Sequence, residues 1–207
     1  MSHVLIVGSG EVPPPTLLTR LAKRADFIVA ADGGADALLK AGVMPHKVIG
    51  DLDSVSETAK HKIPPHSFIH LRNQENTDLE KALRYVQKRG FTAVTLAGFT
   101  GKRWDFSLGN LLAVSRFAKK MDICVELNNS RFYVITTSRT FTSTVNKRVS
   151  LIPLKNCRAV TLTGLKYPLK RAYLPVGTTR SLSNVTVAKK FSVSLESGCL
   201  AVYTENG

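Results

Sequence analysis

The chain has only three cysteines among its 207 residues, and none of them belongs to a Cys-x-x-Cys pair. Cys124, Cys157 and Cys199 lie far apart in apolar or strand-like contexts. An odd number of widely spaced cysteines argues against both a disulfide framework and a zinc site. Such cysteines are typical of buried, reduced thiols. We therefore expect a protein of a reducing compartment, the cytoplasm.

Long hydrophobic runs are also missing. At the N-terminus, the run Val4-Leu5-Ile6-Val7 is too short for a signal-peptide core or a membrane span. We expect no membrane association. With 43% hydrophobic residues the chain can still form a packed globular core.

Several familiar nucleotide-binding motifs are absent. The chain has no Gly-x-x-x-x-Gly-Lys-Ser/Thr loop and no His-Arg-Asp kinase loop. After Gly8 and Gly10, a dinucleotide fingerprint would need a third glycine where the chain has Pro13. Any use of ATP therefore belongs to another fold.

Acidic residues are few, since 15 Asp and Glu face 29 Lys and Arg, a formal net charge of +14. This excess makes anionic partners plausible, including nucleic acid, lipid head groups and nucleotide phosphates. The basic residues are spread along the chain in pairs, such as Lys119-Lys120 and Lys189-Lys190, without a dense block. The sequence therefore argues against a nucleic-acid partner.

Short apolar runs alternate with helical patterns in the first part of the chain. This alternation predicts an α/β domain over residues 1–127 with a mostly parallel sheet. The apolar runs are His3–Val7, Phe27–Ala31, a run ending near Gly50, Ser67–Leu71, Thr92–Ala97 and Asp122–Leu127.

Helices are predicted between these strands. Thr16 is expected to cap the first helix, and Thr77 with Glu80 forms the pattern of a capping box. Asp105 is expected to cap a later helix. The side chains predicted to form the apolar face of that later helix are Leu108, Leu111, Leu112 and Ser115.

The composition changes near residue 128. The remainder is rich in Thr, Ser, Val and Tyr and shows no long helical period. Strand-like runs separated by turn residues predict a smaller all-β, sandwich-like domain over residues 128–207. The predicted strands are Arg131–Thr136, Arg148–Pro153, Ala159–Gly164, Phe191–Leu195 and Cys199–Thr204.

The stretch with the most chemical content is Val48-Ile49-Gly50-Asp51-Leu52-Asp53-Ser54. If the strand continues through Leu52, Asp51 and Asp53 lie on the same side of the chain and Leu52 points inward. Two like charges at that distance repel, and Mg²⁺ would relieve the repulsion because it takes carboxylate and phosphate oxygens. The alternative is a solvated turn in which both carboxylates bind only local backbone groups.

Other polar residues are expected at the same edge of the sheet, because the carboxyl ends of parallel strands share one edge. Asp78 and Asp105 could join Asp51 and Asp53 there, with Lys102 and Arg103 beside them. Carboxylates that hold Mg²⁺ and cations that hold phosphates are what phosphoryl transfer requires. Each residue also has a structural explanation, since an acidic residue at a helix start is stabilising without a ligand.

The sequence resembles the thiamine pyrophosphokinase family along nearly its whole length. The matching stretches are Ala31-Asp32-Gly33-Gly34-Ala35, Gly50-Asp51-Leu52-Asp53-Ser54, Asn76-Thr77-Asp78-Leu79-Glu80-Lys81-Ala82-Leu83, Gly101-Lys102-Arg103-Trp104-Asp105, Gly164-Leu165-Lys166-Tyr167-Pro168-Leu169 and Leu182-Ser183-Asn184.

The resemblance implies Mg²⁺-dependent transfer of pyrophosphate from ATP to the hydroxyethyl group of thiamine, giving thiamine diphosphate and AMP. It also implies a homodimer whose active sites lie between the α/β domain of one subunit and the β domain of the other. The family motifs assign Asp51, Asp53 and Asp78 to the metal and phosphates.

The remaining site residues also come from the resemblance. Arg103 and Asp105 would line the nucleotide side, Gln74 would lie near thiamine, and the partner subunit would contribute Ser183 and Asn184. Together with Lys102, the segment Asp32-Gly33-Gly34 would contact the co-substrates.

Two other functions are compatible with parts of the sequence. A nucleotide-sugar transferase could use Asp51-x-Asp53 to hold a metal and a diphosphate. A basic nucleic-acid-binding module would use the excess positive charge and the β-rich second half. Release of AMP from ATP would distinguish pyrophosphate transfer from the nucleotide-sugar transferase. Nucleic-acid binding that depends steeply on salt would indicate the binding module.

Overall fold

Short buried strands followed by helices form the first part of the computed structural model, which describes residues 2–206. The chain divides into two units. The first unit contains Met1–Ala113 and Val125–Asn128, and the second contains Val114–Cys124 and Asn129–Gly207.

The first unit is organised by a parallel sheet. Its strands lie in the order β4-β3-β2-β1-β5, and every neighbouring pair is parallel. They are β1 His3–Val7, β2 Phe27–Ala31, β3 Lys47–Gly50, β4 Phe68–His70 and β5 Ala93–Ala97. A sixth strand, β6 (Asp122–Glu126), spans the division between the units. The predicted parallel α/β architecture is confirmed.

Five helices accompany these strands along the chain. They are α1 Pro15–Ala22, α2 Gly34–Lys40, α3 Glu57–Lys62, α4 Asp78–Lys88 and α5 Trp104–Val114. Leu5, Ala30 and Val48 of the strands pack with Leu18 and Leu38 of the helices in one apolar core. This core holds the strand ends, and the loops that follow them, in fixed positions.

Three local predictions are wrong. The N-cap of α1 is Pro14 rather than Thr16, because Pro15 occupies the first turn, where its missing N–H costs nothing. Helix α5 begins at Trp104, so Asp105 lies within its first turn instead of capping it. Leu108 and Leu112 of the predicted apolar face are exposed.

The second unit consists of two sheets that share one long strand. Strand β9 pairs with β13, β7 lies beyond β13, and the short β11 also pairs with β9. Its C-terminal half pairs instead with β10 and β12, and β8 lies beyond β12. The strands are β7 Ser130–Ile135, β8 Arg139–Thr142, β9 Arg148–Thr163, β10 Leu169–Leu174, β11 Asn184–Val185, β12 Lys190–Ser194 and β13 Ser197–Glu205.

The two sheets enclose an apolar core, as the sandwich-like prediction requires. Leu151 and Leu200 contribute from one sheet, and Leu162 and Phe191 from the other. Strand β9 replaces the two separate strands predicted at Arg148–Pro153 and Ala159–Gly164. Its residues between these runs stay paired, and the ladders with β13 and β10 show register shifts there. Sequence alone suggested a break at this irregularity.

The positive charge is concentrated in the second unit. This unit holds fifteen Lys and Arg but three Asp and Glu, and each of the three acids pairs with an arginine of the same unit. The ion pairs are Arg139–Asp122, Arg148–Glu205 and Arg171–Glu196. The first unit is therefore close to neutral. The basic residues of the second unit are collected by the fold, since the sequence itself shows no dense basic block.

None of the helices among residues 2–206 is long and apolar enough to cross a lipid bilayer.

Two helical glycines provide a matched test of the packing in the first unit. A Cβ atom added at Gly34 would lie 1.9 Å from the Val7 carbonyl oxygen, whereas one at Gly109 would meet nothing within 4 Å. We expect Gly34→Ala to lower the free energy of unfolding by about 1–3 kcal/mol or more, because the added methyl group would overpack this contact. Gly109→Ala should raise it by up to about 1 kcal/mol through helix propensity. Urea denaturation measures both, and equal stabilities of the two variants would contradict this packing.

Candidate active site

A cleft of about 590 Å³ opens at the carboxyl edge of the parallel sheet. Its walls come from the loops after β1, β2, β3 and β5 and from the start of α4. Loops at this edge are the usual ligand site of open α/β sheets. The cleft lies within the first unit, and most predicted site residues of that unit line it.

Three carboxylates form the chemical centre of this cleft. Asp32, Asp51 and Asp78 each place one oxygen within 4.8 Å of the others. They come from the end of β2, the loop after β3 and the first residue of α4. Like charges at such distances repel, and a bound cation would offset this repulsion. The arrangement is therefore typical of a cation site.

Asp32 is the most buried of the three carboxylates. Its residue is 6% exposed and its backbone φ is +45°, an uncommon value outside glycine. Its Oδ1 is buried and has no hydrogen-bond partner among the described residues. Burial raises the pKa of Asp32, and the negative charge of Asp78 raises it further, against a hydrogen bond from Ser54. A buried oxygen without a donor is a position that a cation can fill.

Gly50 allows the three carboxylates to approach one another. A Cβ atom at Gly50 would lie 2.9 Å from the Asp32 Cβ and 3.2 Å from the Asp78 Oδ1. Any larger residue at the end of β3 would therefore push these two side chains away. The glycine between the buried strand and Asp51 is required by this contact rather than by a tight turn.

Asp51 has a different electrostatic environment from Asp32. Burial acts to raise its pKa, but hydrogen bonds from the Asp53 amide and the Gln74 side chain and the charge of Lys81 outweigh burial and lower it. The Gln74 Nε2 lies 3.4 Å from the Asp51 Oδ2. Asp51 is thus held as a carboxylate facing the cleft.

Helix α4 positions Asp78. The Thr77 Oγ1 accepts a hydrogen bond from the Glu80 amide at 3.3 Å, and the Glu80 Oε2 accepts one from the Thr77 amide at 3.4 Å. This predicted capping box is confirmed, and it fixes the first turn of the helix. The Lys81 Nζ donates to the Asp78 Oδ1 at 2.9 Å.

Asp53 lies beside the group of three carboxylates rather than within it. It is exposed, lines the cleft and accepts a hydrogen bond from the Ser54 hydroxyl at 2.9 Å. Strand β3 ends at Gly50, and Leu52 has a φ of +65°, so the period-2 argument for Asp51 and Asp53 fails. Leu52 does pack against the core, but it does so from a left-handed turn.

The basic side of the cleft comes from the loop after β5. The Lys102 Nζ donates to the Ser9 carbonyl at 2.8 Å. The Arg103 guanidinium lies 4.3 Å from the centre of the Phe106 ring, and its Nε donates to the Asp105 Oδ1 at 3.2 Å. Both cations therefore lie at the rim of the cleft.

Asp105 does not join the other carboxylates. It lies outside the cleft lining and forms an ion pair with Arg103, whose hydrogen bond lowers the pKa of Asp105. In this structure Asp105 orients the guanidinium of Arg103.

Gly33 and Gly34 support the site without lining it. Gly33 is the N-cap of α2, and Gly34 packs directly against the Val7 carbonyl. These glycines let α2 begin immediately after Asp32. The positive φ at this turn occurs at Asp32 rather than at either glycine.

Ser183 and Asn184 belong to the second unit. The buried Asn184 side chain accepts from the Tyr167 amide at 3.0 Å and donates to the Tyr167 carbonyl at 2.7 Å. Ser183 is exposed with a φ of +56°, and its amide donates to the Ser150 hydroxyl at 2.9 Å. Asn184 thus fixes the loop before β10, and the thiamine contacts of both residues stay predictions.

Sequence reasoning gave no role to two buried residues of the cleft, Lys81 and Asn110. Lys81 pairs with Asp78, and the Asn110 Nδ2 donates to the Phe99 carbonyl at 3.0 Å. The spacing of Asp78 and Lys81, three residues apart at a helix start, was the available signal for the first. Nothing in the sequence pattern distinguishes Asn110 from a surface residue.

Two family models match the chain. The catalytic domain of thiamin pyrophosphokinase matches residues 18–125, and the vitamin B1 binding domain of thiamin pyrophosphokinase matches residues 133–200.

Individual relatives agree with these matches. The thiamine pyrophosphokinase of Bacillus subtilis is 28% identical, over 97% of both chains. A crystal structure of thiamine pyrophosphokinase from Bacillus subtilis superposes with a TM-score of 0.86 at 26% identity, covering 99% of each chain. That of thiamin pyrophosphokinase from Geobacillus thermodenitrificans gives 0.84 at 27% identity, covering 99% of this chain and 98% of the other.

The structure of thiamin pyrophosphokinase from Candida albicans shares the fold, with a TM-score of 0.85 at 18% identity over 100% of this chain and 89% of that one. The catalytic-domain model alone spans more than half of the chain, and the binding-domain model covers most of the remainder. On these matches, and with a carboxylate-lined cleft at the expected edge of the sheet, the chain belongs to the thiamin pyrophosphokinase family of enzymes, which form thiamine diphosphate from ATP.

Proposed function

We propose that this enzyme transfers the terminal pyrophosphate of ATP to the hydroxyethyl group of thiamine in the cleft described above, releasing AMP. The observation that carries the proposal is the group of Asp32, Asp51 and Asp78, with a buried, unpartnered Asp32 oxygen, in a cleft that the cations Lys102 and Arg103 also line. Carboxylates for a metal and cations for phosphates are the components of phosphoryl transfer.

The carboxylates fit Mg²⁺ because this ion takes oxygen ligands and is usually held by one or two carboxylates plus substrate phosphates. We propose that Asp51 and Asp78 bind it together with Asp32, and that Asp53 contributes from the exposed side of the cleft. When bound, Mg²⁺ polarises the phosphoryl oxygens and offsets their developing charge.

The basic rim would bind the polyphosphate. Arg103 offers a planar set of N–H donors, and its contacts with Asp105 and Phe106 hold it in one orientation before substrate arrives. Lys102 adds a second cation from the same loop. Such fixed charges stabilise a transition state without reorganisation during the reaction. Gln74, hydrogen-bonded to Asp51, would contact thiamine.

We further propose a homodimer in which residues 1–127 bind the nucleotide and metal, and residues 128–207 of the partner subunit bind thiamine through Ser183 and Asn184. Helix α5 supports this assembly because it exposes a set of large apolar side chains. These are Trp104, Phe106, Leu108 and Leu112, with Trp104 89% exposed. Contiguous apolar surface of this kind usually marks an interface. We also propose that the enzyme works in the cytoplasm, because its cysteines form no disulfide.

An AMP-release assay with ATP and Mg²⁺, run with and without thiamine, tests the reaction. We expect AMP to form only with thiamine, in equal amount to thiamine diphosphate measured by chromatography. AMP release independent of thiamine would point to another acceptor. Release of a nucleoside diphosphate from a sugar donor would instead indicate the transferase.

Asp51→Asn removes one proposed metal ligand at nearly constant volume. We expect turnover to fall at least about 100-fold, because a charge that stabilises the metal in the transition state is lost. Circular dichroism and the melting temperature should stay near those of the wild type. Glu75→Gln is the control, since Glu75 is an exposed acid of the same cleft outside the group of three. A variant of Asp51 that fails to fold would favour a structural role.

Asp32→Asn should show a stability effect that depends on pH. A carboxyl with a raised folded-state pKa contributes stability below the ordinary value of 3.8 and loses it as pH rises through the raised pKa. At pH 7 the metal-free Asp32→Asn protein should therefore melt above the wild type. A gain of about 1 kcal/mol corresponds to about 2–4 °C in a chain of this size.

The difference between Asp32→Asn and the wild type should shrink as the pH is lowered toward 4. Thermal melts in a chelating buffer at several pH values measure it, and Glu75→Gln again serves as the control. If Asp32→Asn is less stable than the wild type at neutral pH, the buried charge of Asp32 does not destabilise the protein.

The dimer proposal is tested by placing a charge on α5. Leu108 is 60% exposed, and Leu108→Lys should convert the dimer to monomers because an ammonium would be buried at the interface. Met44→Lys is a matched control at another exposed apolar site of the first unit. Light scattering reports the mass, and an unchanged mass of Leu108→Lys would remove α5 from the interface.

A further inference from the structure

Lys81 is a buried cation inside the carboxylate cluster. Its side chain is 6% exposed, whereas that of its partner Asp78 is 31% exposed. The Lys81 Nζ donates to the Asp78 Oδ1 at 2.9 Å, and the residue lines the cleft. Lysine is almost never buried this deeply without a specific partner, because removing an ammonium from water is costly.

The positive charge of Lys81 acts on more than one member of the cluster. It pairs directly with Asp78 and is one of the groups that favour the charged form of Asp51. Within the group of three carboxylates, to which the exposed Asp53 does not belong, the Lys81 ammonium lowers the net charge to two negative charges, which one divalent cation balances. Without Lys81 the same carboxylates would carry three negative charges, more than one such ion can neutralise.

The contact also restricts Asp78. A carboxylate has two oxygens, and Lys81 takes one of them, Oδ1, which leaves Oδ2 for a metal. Both residues lie in the first turns of α4, whose start is fixed by the capping box. The distance between the ammonium and the carboxylate is thus set by a rigid helix end rather than by a flexible loop.

We propose that Lys81 is a positioning residue that limits the carboxylate cluster to one divalent cation in the nucleotide-free enzyme and holds Asp78 in a single orientation for that ion. This inference rests on the proposed metal site. Next to Asp78 the ammonium supplies positive charge of the kind that a second metal ion provides in two-metal phosphoryl-transfer sites. Asp78 then has no free oxygen for a second ion.

Titration of the purified, nucleotide-free protein with Mn²⁺, followed by the electron paramagnetic resonance signal of the free ion, tests this directly. We expect the wild type to bind one ion per chain. Lys81→Met keeps most of the length of the unbranched side chain and removes its charge. It should bind a second ion, and its first ion should bind at least about tenfold more tightly because the repulsion by the ammonium is gone.

Lys88→Met is the matched control, because Lys88 lies at the other end of the same helix and is exposed. Its Mn²⁺ titration should equal that of the wild type. Lys81→Arg retains the charge and should keep one ion per chain. If Lys81→Met does not fold, Lys81→Gln can still donate to Asp78 without a charge and should bind the second ion.

Turnover gives an independent measurement. In Lys81→Met the apparent KM for Mg²⁺ should fall while kcat falls at least about tenfold, because the ion binds more strongly but Asp78 is no longer held. A residue that only fills space would lower the melting temperature and leave both the Mn²⁺ stoichiometry and the KM for Mg²⁺ unchanged.

The outcomes separate this inference from the proposed function. One Mn²⁺ per chain in both the wild type and the neutral Lys81 variants would overturn the role of Lys81 and leave the metal site intact. Two ions in the wild type would overturn it as well. An absence of Mn²⁺ binding in every protein would remove the proposed metal site together with this inference.

Discussion

Repulsion between three carboxylates is the constraint to which the first unit is adapted. Asp32, Asp51 and Asp78 lie within 4.8 Å of one another at the carboxyl edge of the sheet. Local features keep them there, since Gly50 leaves room for two of them and the capping box fixes the helix that carries the third. Lys81 neutralises one of the three charges from below the surface. The burial of Asp32 in this cluster therefore opposes part of the stability of the fold, because it raises the pKa of that carboxyl.

Apolar packing in the rest of the first unit offsets this loss of stability. The buried strands and the helices around them form one apolar core, and the close contact of Gly34 with Val7 brings α2 against β1. This rigid support holds Asp32 buried, although its Oδ1 has no hydrogen-bond partner among the described residues. Sites that bind their ligand by relieving strain need such a scaffold, because the strain would otherwise relax into a rearranged loop.

The unequal distribution of charge between the units gives them different electrostatic characters. The first unit combines a group of three carboxylates with a basic rim, whereas the second has an excess of positive charge and no unpaired acid among its described residues. A polyphosphate co-substrate carries several negative charges, so a strongly basic unit would raise its local concentration by long-range attraction. Most of the net charge of +14 thus belongs to the second unit, where fifteen Lys and Arg face three Asp and Glu.

The sequence by itself determined the strands and most helices of the first unit, the capping box at Thr77, the β-rich second half and the participation of Asp51 and Asp78 in one site. These follow from local periodicity and from the rule that parallel strands end at one edge. Only the tertiary structure decided that Asp32 joins the cluster while Asp53 stays beside it, that Asp105 orients Arg103, and that Lys81 is buried among the acids. The reason is physical: distances between loops depend on how the strands pack and on single left-handed residues such as Leu52, which no periodic pattern encodes.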